Sequence, residues 1–314
     1  MRVLFAGTPD VALPSLRRLI DSRHDVVAVL TRPDAPAGRK RIVQPSAVKG
    51  LADQAGIAVL TPTSTRDPGL RDRLGALRLD AAPVVAYGGL IPPDLLAVPV
   101  HGWINLHFSL LPAWRGAAPV QHTIMAGDEV AGASAFLLEQ GLDTGPVLGT
   151  LTERVRDHDT SGTLLQRLGY AGAELLLGSL DALESGTAQP QEQPNDGISY
   201  APKLTRDDAR VRWDRPAYVV DRQIRGCTPA PGAFTTLHGE RLKIHPVTVV
   251  RDHLDIDTLV PGQVHVGRRE VVVGAGGGMV RLGQVQPPGK KAMDADAWAR
   301  GARLHPGDIL GIHL

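Results

Sequence analysis

The chain has 314 residues, 43% of them hydrophobic and 21% charged, with a formal net charge of +1 at pH 7. That length exceeds one domain of about 100–200 residues, so two domains are expected, and the composition is that of a globular rather than a disordered protein. No run approaches the roughly 18 apolar residues that span a bilayer, and the first residues read as a strand rather than an export signal, so a cytoplasmic protein is expected.

In chain order, short apolar runs at residues 3–6, 26–30, 58–60, 84–87 and 104–106 alternate with helix-like segments at 13–20, 47–55 and 70–77. This βαβ rhythm predicts an α/β fold, a Rossmann-like, mainly parallel sheet covered by helices on both faces. Such sheets bind ligands outside the carboxyl ends of their strands, where Gly7-Thr8, Tyr87-Gly88-Gly89 and His107 emerge. The first turn, Gly7-Thr8-Pro9-Asp10, lacks the second and third glycines of the dinucleotide fingerprint, and no phosphate loop of the form G-x-x-x-x-G-K-[ST] occurs. Dinucleotides and nucleoside triphosphates are therefore not expected. Residues 31–44 form a loop longer than the usual roughly two to six residues between strand and helix, with Arg39, Lys40 and Arg41 at its tip. Its length favours a functional loop over a merely solvated run of charge.

If residues 103–107 are a strand, the two-residue period points Asn105 and His107 to the same side, where an amide donor and an imidazole can meet one reacting carbonyl. A second polar cluster, Gly141-Leu142-Asp143-Thr144-Gly145, offers a carboxylate partner. Taken singly, the histidine is more often a hydrogen-bonded core residue, and the aspartate is as well explained as a turn residue.

Further on, residues 160–183 carry leucines and alanines at helical spacing, with Thr160 or Ser161 as N-cap, and a Pro/Gln/Gly-rich connector follows at 186–197. After a helix-like stretch at 218–224, short β-type runs at 233–237, 242–250, 262–266, 270–273 and 279–282 suggest a small barrel, with Gly274 to Gly278 as a hairpin turn. The expected division is a catalytic domain at 1–189, a linker at 190–206 and a C-terminal domain at 207–314. That last part carries 15 Lys+Arg against 12 Asp+Glu, compared with 19 against 21 before it, a mild basic bias. Cys227 is the only cysteine, which excludes an intrachain disulfide and a thiolate-rich zinc site, and the 11 histidines show no i, i+4 pair beside a glutamate. No metal is expected.

The stretch Asn105-Leu106-His107-Phe108-Ser109-Leu110-Leu111-Pro112, with the later Gly141 to Gly145 loop, resembles the folate-dependent formyltransferases, which share Asn-x-His-x-Ser-Leu-Leu-Pro and Gly-Leu-Asp-Thr-Gly. The similarity runs from Phe5-Ala6-Gly7-Thr8-Pro9-Asp10 to Gln286-Pro287-Pro288-Gly289-Lys290-Lys291-Ala292-Met293, nearly the whole chain, and best fits members whose acceptor is methionyl-tRNA. Phe108 departs from the many relatives that carry a small residue there. The resemblance implies an OB-like β-barrel at the C-terminus, Asn105, His107 and Asp143 as the catalytic set, and 10-formyltetrahydrofolate as co-substrate without a metal. It also implies a pterin slot between Tyr87-Gly88 and Gly141-Leu142, with Ser109, Leu110, Leu111 and Pro112 lining the cofactor side. The loop bearing Arg39, Lys40 and Arg41 is implied to reach the acceptor end of the initiator methionyl-tRNA, with Lys290 and Lys291 adding backbone contacts. A monomer with no membrane partner is expected.

Two rival readings remain at this point. A formyltransferase for a small amine, such as a glycinamide nucleotide or an amino sugar, explains neither the roughly 110-residue β-rich C-terminal domain nor the basic loop. An RNA-binding module without activity has no use for an intact Asn105, His107 and Asp143.

Overall fold

The computed structural model describes residues 1–37, 42–252, 258–305 and 307–311, so Arg39, Lys40 and Arg41 lie outside the described residues. The chain divides into two compact units, the first of residues 1–119, 130–154 and 165–200, the second of residues 120–129, 155–164 and 201–314. Among the described residues no helix is long and apolar enough to cross a membrane.

The N-terminal elements are β1 (Arg2–Gly7), α1 (Leu13–Ile20), β2 (Asp25–Leu30), a small ribbon of β3 (Ala35–Ala37) and β4 (Ile42–Gln44), α2 (Ala47–Gln54), β5 (Val59–Leu60), α3 (Pro68–Ala76), β6 (Ala82–Val85), α4 (Pro93–Leu96) and β7 (Trp103–His107). They are followed by α5 (Pro119–Ala126), β8 (Val130–Leu137), β9 (Val147–Arg154) and α6 (Ser161–Glu184). The strands other than the ribbon form one sheet in the order β5-β2-β1-β6-β7-β8-β9, parallel from β5 to β7 and antiparallel from β7 to β9. The parallel part is the doubly covered sheet expected from continuous apolar runs, since β6 and all but the first residue of β1 are buried. Helix α1 buries Leu16 and Leu19 and places Arg17 and Arg18 in its last turn, where cations suit the helix dipole. Helix α2 is capped by Ser46, whose Oγ accepts from the Lys49 N–H at 3.0 Å.

The antiparallel pair β8 and β9 was not expected from sequence. Strand β8 reads Val-Ala-Gly-Ala-Ser-Ala-Phe-Leu, poor in β-branched residues and without apolar alternation, yet it is buried from Ala131 to Phe136. Tertiary packing selects its small residues: a Cβ at Gly132 would overlap the Leu151 carbonyl and the Leu110 side chain.

Strand β1 lies between β2 and β6, so the chain crosses over in opposite directions from it, and the crevice at the carboxyl ends of β1 and β6 is the switch point where such sheets bind ligands. Gly7 is needed there for close packing, because a Cβ would lie 2.8 Å from the Phe5 ring and 3.0 Å from the Val85 carbonyl. Thr8 Oγ1 donates to the Tyr87 carbonyl at 2.8 Å and ties the two strand ends together.

The second unit contains α7 (Ala217–Gly226), β10 (Phe234–Leu237), β11 (Glu240–Ile244), β12 (Val247–Val249), β13 (Val264–Val266), β14 (Val271–Gly274), β15 (Met279–Leu282), β16 (Gln284–Gln286), β17 (Met293–Asp294) and α8 (Ala295–Gly301). Its strands form two four-stranded antiparallel sheets, β10-β11-β16-β17 and β12-β15-β14-β13, the β-rich architecture expected for an OB-like domain. The expected single strand over 242–250 is two strands broken at Pro246, which has no N–H for a ladder. Trp213, Phe234, Val273, Val280 and Trp298 pack in its core. Cys227 is fully buried, and burial pushes its thiol up to about 11, which suits an inert packing residue.

Candidate active site

Strand β7 pairs with β6 on one side and β8 on the other, with Asn105 opposite Val84 and Phe136, and His107 opposite Ser134. At its carboxyl end a cavity of about 630 Å³ is lined by Ala86, Tyr87 and Gly88 after β6, by Asn105, His107 and Phe108, and by Gly141, Leu142 and Asp143. The two-residue strand period thus does bring Asn105 and His107 to one cavity, and the glycine-bounded loop meets them there. Phe108 is buried and forms part of the wall.

His107 is almost fully buried and packs edge-on against Phe136, with ring centroids 6.4 Å apart. Its Nε2 lies 2.9 Å from the Trp114 carbonyl, and a carbonyl only accepts, so this nitrogen carries the proton. In the neutral ring Nδ1 is therefore bare, and it lies 3.8 Å from Asp143 Oδ2. Two acceptors this close form a receptor for a group that brings N–H bonds. Asp143 Oδ2 is itself fixed by the Gly116 N–H at 2.7 Å, which leaves its lone pairs toward the imidazole available.

Burial lowers the His107 pKa below the ordinary histidine value, opposed by the Asp143 carboxylate and the Trp114 carbonyl. The neutral ring is thus the resting form around neutral pH. In an NMR titration of the imidazole, the His107 midpoint falls below about 6.5, the reference value, and Asp143→Asn lowers it further by removing the opposing charge. A midpoint above the reference would show that the carboxylate outweighs burial. Because the folded value is depressed, the unfolded chain takes up this proton first. The contribution of His107 to stability is therefore intact above the reference value and is lost as pH falls through and below it.

Three of the residues around this centre, Ala86, Trp114 and Asp143, have left-handed backbone with φ of 49°, 59° and 51°. For a bulky residue such as tryptophan that conformation is an outlier that surrounding structure must hold. At Trp114 it accompanies the carbonyl that meets His107, and at Asp143 the carboxylate that faces Nδ1. Gly145 closes the loop because a Cβ there would overlap the Leu137 carbonyl. The carbonyls of Asp143 and Gly145 accept from Gln193, a residue that sequence reasoning passed over.

Of the residues implied for the cofactor, Tyr87, Gly88, Gly141 and Leu142 line the cavity. Ser109, Leu110, Leu111 and Pro112 are not among its lining residues. They build the turn that follows Phe108: Ser109 Oγ donates to the Ala113 carbonyl at 2.6 Å, while Ser134 Oγ donates to the Ser109 carbonyl and accepts from the Leu111 N–H. In the second unit Lys290 and Lys291 are exposed, and Lys290 lines a separate cavity of about 480 Å³ with His238, Arg241 and Trp298. Among the described residues one group of metal-ligand type occurs, His24, Asp181 and Glu184, and Arg23 already bridges its two carboxylates at 2.9 and 2.8 Å.

Residues 1–180 match the family model described as Formyl transferase, and residues 203–303 the one described as Formyl transferase, C-terminal domain. The chain belongs to the formyl transferase family. It is 58% identical over 310 residues to the methionyl-tRNA formyltransferase of Salinispora tropica, covering 99% of this chain and 100% of that protein. It is 56% identical over 312 residues to that of Streptomyces coelicolor, with 99% and 100% covered. Among solved structures, the N-formyltransferase from Helicobacter canadensis has a TM-score of 0.70 at 16% identity, covering 91% of this chain and 99% of that one, a likeness of fold. The family pattern in this formyl transferase therefore falls on a cavity where imidazole and carboxylate already face each other.

Proposed function

We propose that this formyl transferase moves the formyl group of 10-formyltetrahydrofolate to the α-amino group of initiator methionyl-tRNA, giving N-formylmethionyl-tRNA for translation initiation. The observation that carries this reading is the 58% identity to a methionyl-tRNA formyltransferase over 99% of this chain, which extends well into the C-terminal unit. The proposed setting is the cytoplasm and the proposed acting form a monomer.

In the transfer, the amine attacks the formyl carbon, negative charge grows on the formyl oxygen and positive charge grows on nitrogen. Asn105, on the cavity wall, is assigned the oxyanion through its amide N–H. His107 Nδ1 and the Asp143 carboxylate, 3.8 Å apart, are assigned the amine: both accept from its N–H groups, and the neutral imidazole takes the proton as the C–N bond forms. The C–N bond to folate N10 then breaks and the proton returns to that leaving nitrogen or to water. The folate is assigned the slot between Tyr87-Gly88 and Gly141-Leu142, where flat pterin edges meet backbone groups in a mostly apolar cleft, while Ser109 to Pro112 are assigned to the turn that follows Phe108 rather than to the wall.

Incubation with 10-formyltetrahydrofolate and either methionyl-tRNA or small amines tests the reading. Formyl incorporation into methionyl-tRNA is expected, and incorporation only into a small amine rejects it. Arg39, Lys40 and Arg41 are assigned to tRNA phosphates together with Lys290 and Lys291. Replacing Arg39 and Arg41 by alanine is expected to weaken tRNA binding and reduce the slope of log affinity against log salt by about 1–2, with less than about a twofold change in folate binding. An unchanged salt slope contradicts that assignment.

A further inference from the structure

Residues 191–200 fall in the segment expected to be a linker, yet they contact both the loop that carries Asp143 and the loop that carries Trp114. Gln191 exchanges main-chain hydrogen bonds with Val147 at 2.7 and 2.8 Å, which anchors this strap at the start of β9. Two residues on, Gln193 Nε2 donates to the carbonyls of Asp143 at 2.8 Å and Gly145 at 2.9 Å. Its Oε1 accepts from Arg115 Nε at 3.1 Å and Nη2 at 2.6 Å, and Arg115 is buried. At the other end of the strap, Ser199 Oγ accepts from the Trp114 N–H and the Ser199 carbonyl from the Arg115 N–H, both at 2.9 Å.

The strap therefore grips the two left-handed residues whose groups face the two nitrogens of His107. A neutral amide is the one side chain with two donors and an acceptor, and Gln193 uses all three at once. Neither end of that arrangement touches the cavity itself, so its effect on chemistry passes through Asp143 and Trp114.

We propose that Gln193, Arg115 and Ser199 are positioning residues for formyl transfer, holding the Asp143 carboxylate and the Trp114 carbonyl so that His107 presents a bare Nδ1 beside the carboxylate. This rests on the function proposed above. A carboxylate displaced by an ångström no longer shares the amine with Nδ1, and misplacement of that size costs up to about 10² in rate. Affinity for the tRNA, assigned to basic residues outside this loop, is left in place.

Gln193→Glu separates positioning from mere structure, because a carboxylate still accepts from Arg115 but donates nothing to the Asp143 and Gly145 carbonyls. Steady-state formylation of methionyl-tRNA by this variant is expected to show kcat lowered by about 10- to 100-fold with KM for methionyl-tRNA within about twofold. Wild-type kcat in Gln193→Glu, or a raised KM with kcat unchanged, overturns the proposal. If Gln193→Glu does not fold, Ser199→Ala, which removes a single hydrogen bond to Trp114, carries the same test: a lowered kcat at constant KM supports positioning, and wild-type kcat overturns it. The wild-type protein in the same assay distinguishes the two failures. An inactive wild type overturns the function and the positioning together, whereas an active wild type with equally active variants overturns positioning alone.

Discussion

His107→Ala lowers the rate of formyl transfer by about 10²–10⁴-fold, the range of a positioned general base, and leaves tRNA affinity within about twofold. The ring is held by the Trp114 carbonyl on one side and by Phe136 on its edge, so its bare Nδ1 has one orientation, toward Asp143. Removing it leaves the amine proton with the carboxylate alone. Single-turnover rates at saturating folate, with tRNA affinity measured separately, check the result. A loss confined to tRNA affinity would place His107 in binding rather than chemistry.

Asn105→Ala lowers kcat by about 10²–10³-fold, as removal of one oxyanion donor does, because the charge on the formyl oxygen then develops against an apolar wall. The strand holds position 105 in register with Val84 of β6 and Phe136 of β8, a rigid setting for this amide. Asn105→Asp is expected to be slower still, since it sets a carboxylate against a growing negative charge at nearly unchanged size. An aspartate variant faster than the alanine variant would show that position 105 does not face the oxygen. KM for folate is the second readout, and it stays within about threefold in both variants if the contact is made in the transition state.

The parallel half of the sheet was legible because β1 and β6 are short apolar runs buried almost throughout and β2 is an apolar run buried over its last three residues, a pattern written in the residues themselves. The meeting of Asn105 and His107 was legible for an equally local reason, the two-residue period of one strand. Strands β8 and β9 were not, since Gly132 owes its place to the close approach of Leu151 and Leu110 and Ser134 to its hydrogen bonds with Ser109 and Leu111, which no local pattern encodes. Gln193 escaped for a similar reason. Its partners are two backbone carbonyls and an arginine 78 residues away, so it looks like any glutamine in a polar connector. Pro246 and the break between β11 and β12 were visible as a proline inside an apolar run, a signal that the expected strand over 242–250 overrode.

Single-turnover formyl transfer by Asp143→Ala, His107→Ala and the double variant tests most directly whether carboxylate and imidazole serve one amine. Groups that act as a unit lose their joint contribution when either is removed, so the double variant is expected to be no slower than the slower single variant, within about threefold. If the two losses instead multiply, the imidazole and the carboxylate work independently and the shared amine site between Nδ1 and Oδ2 does not exist.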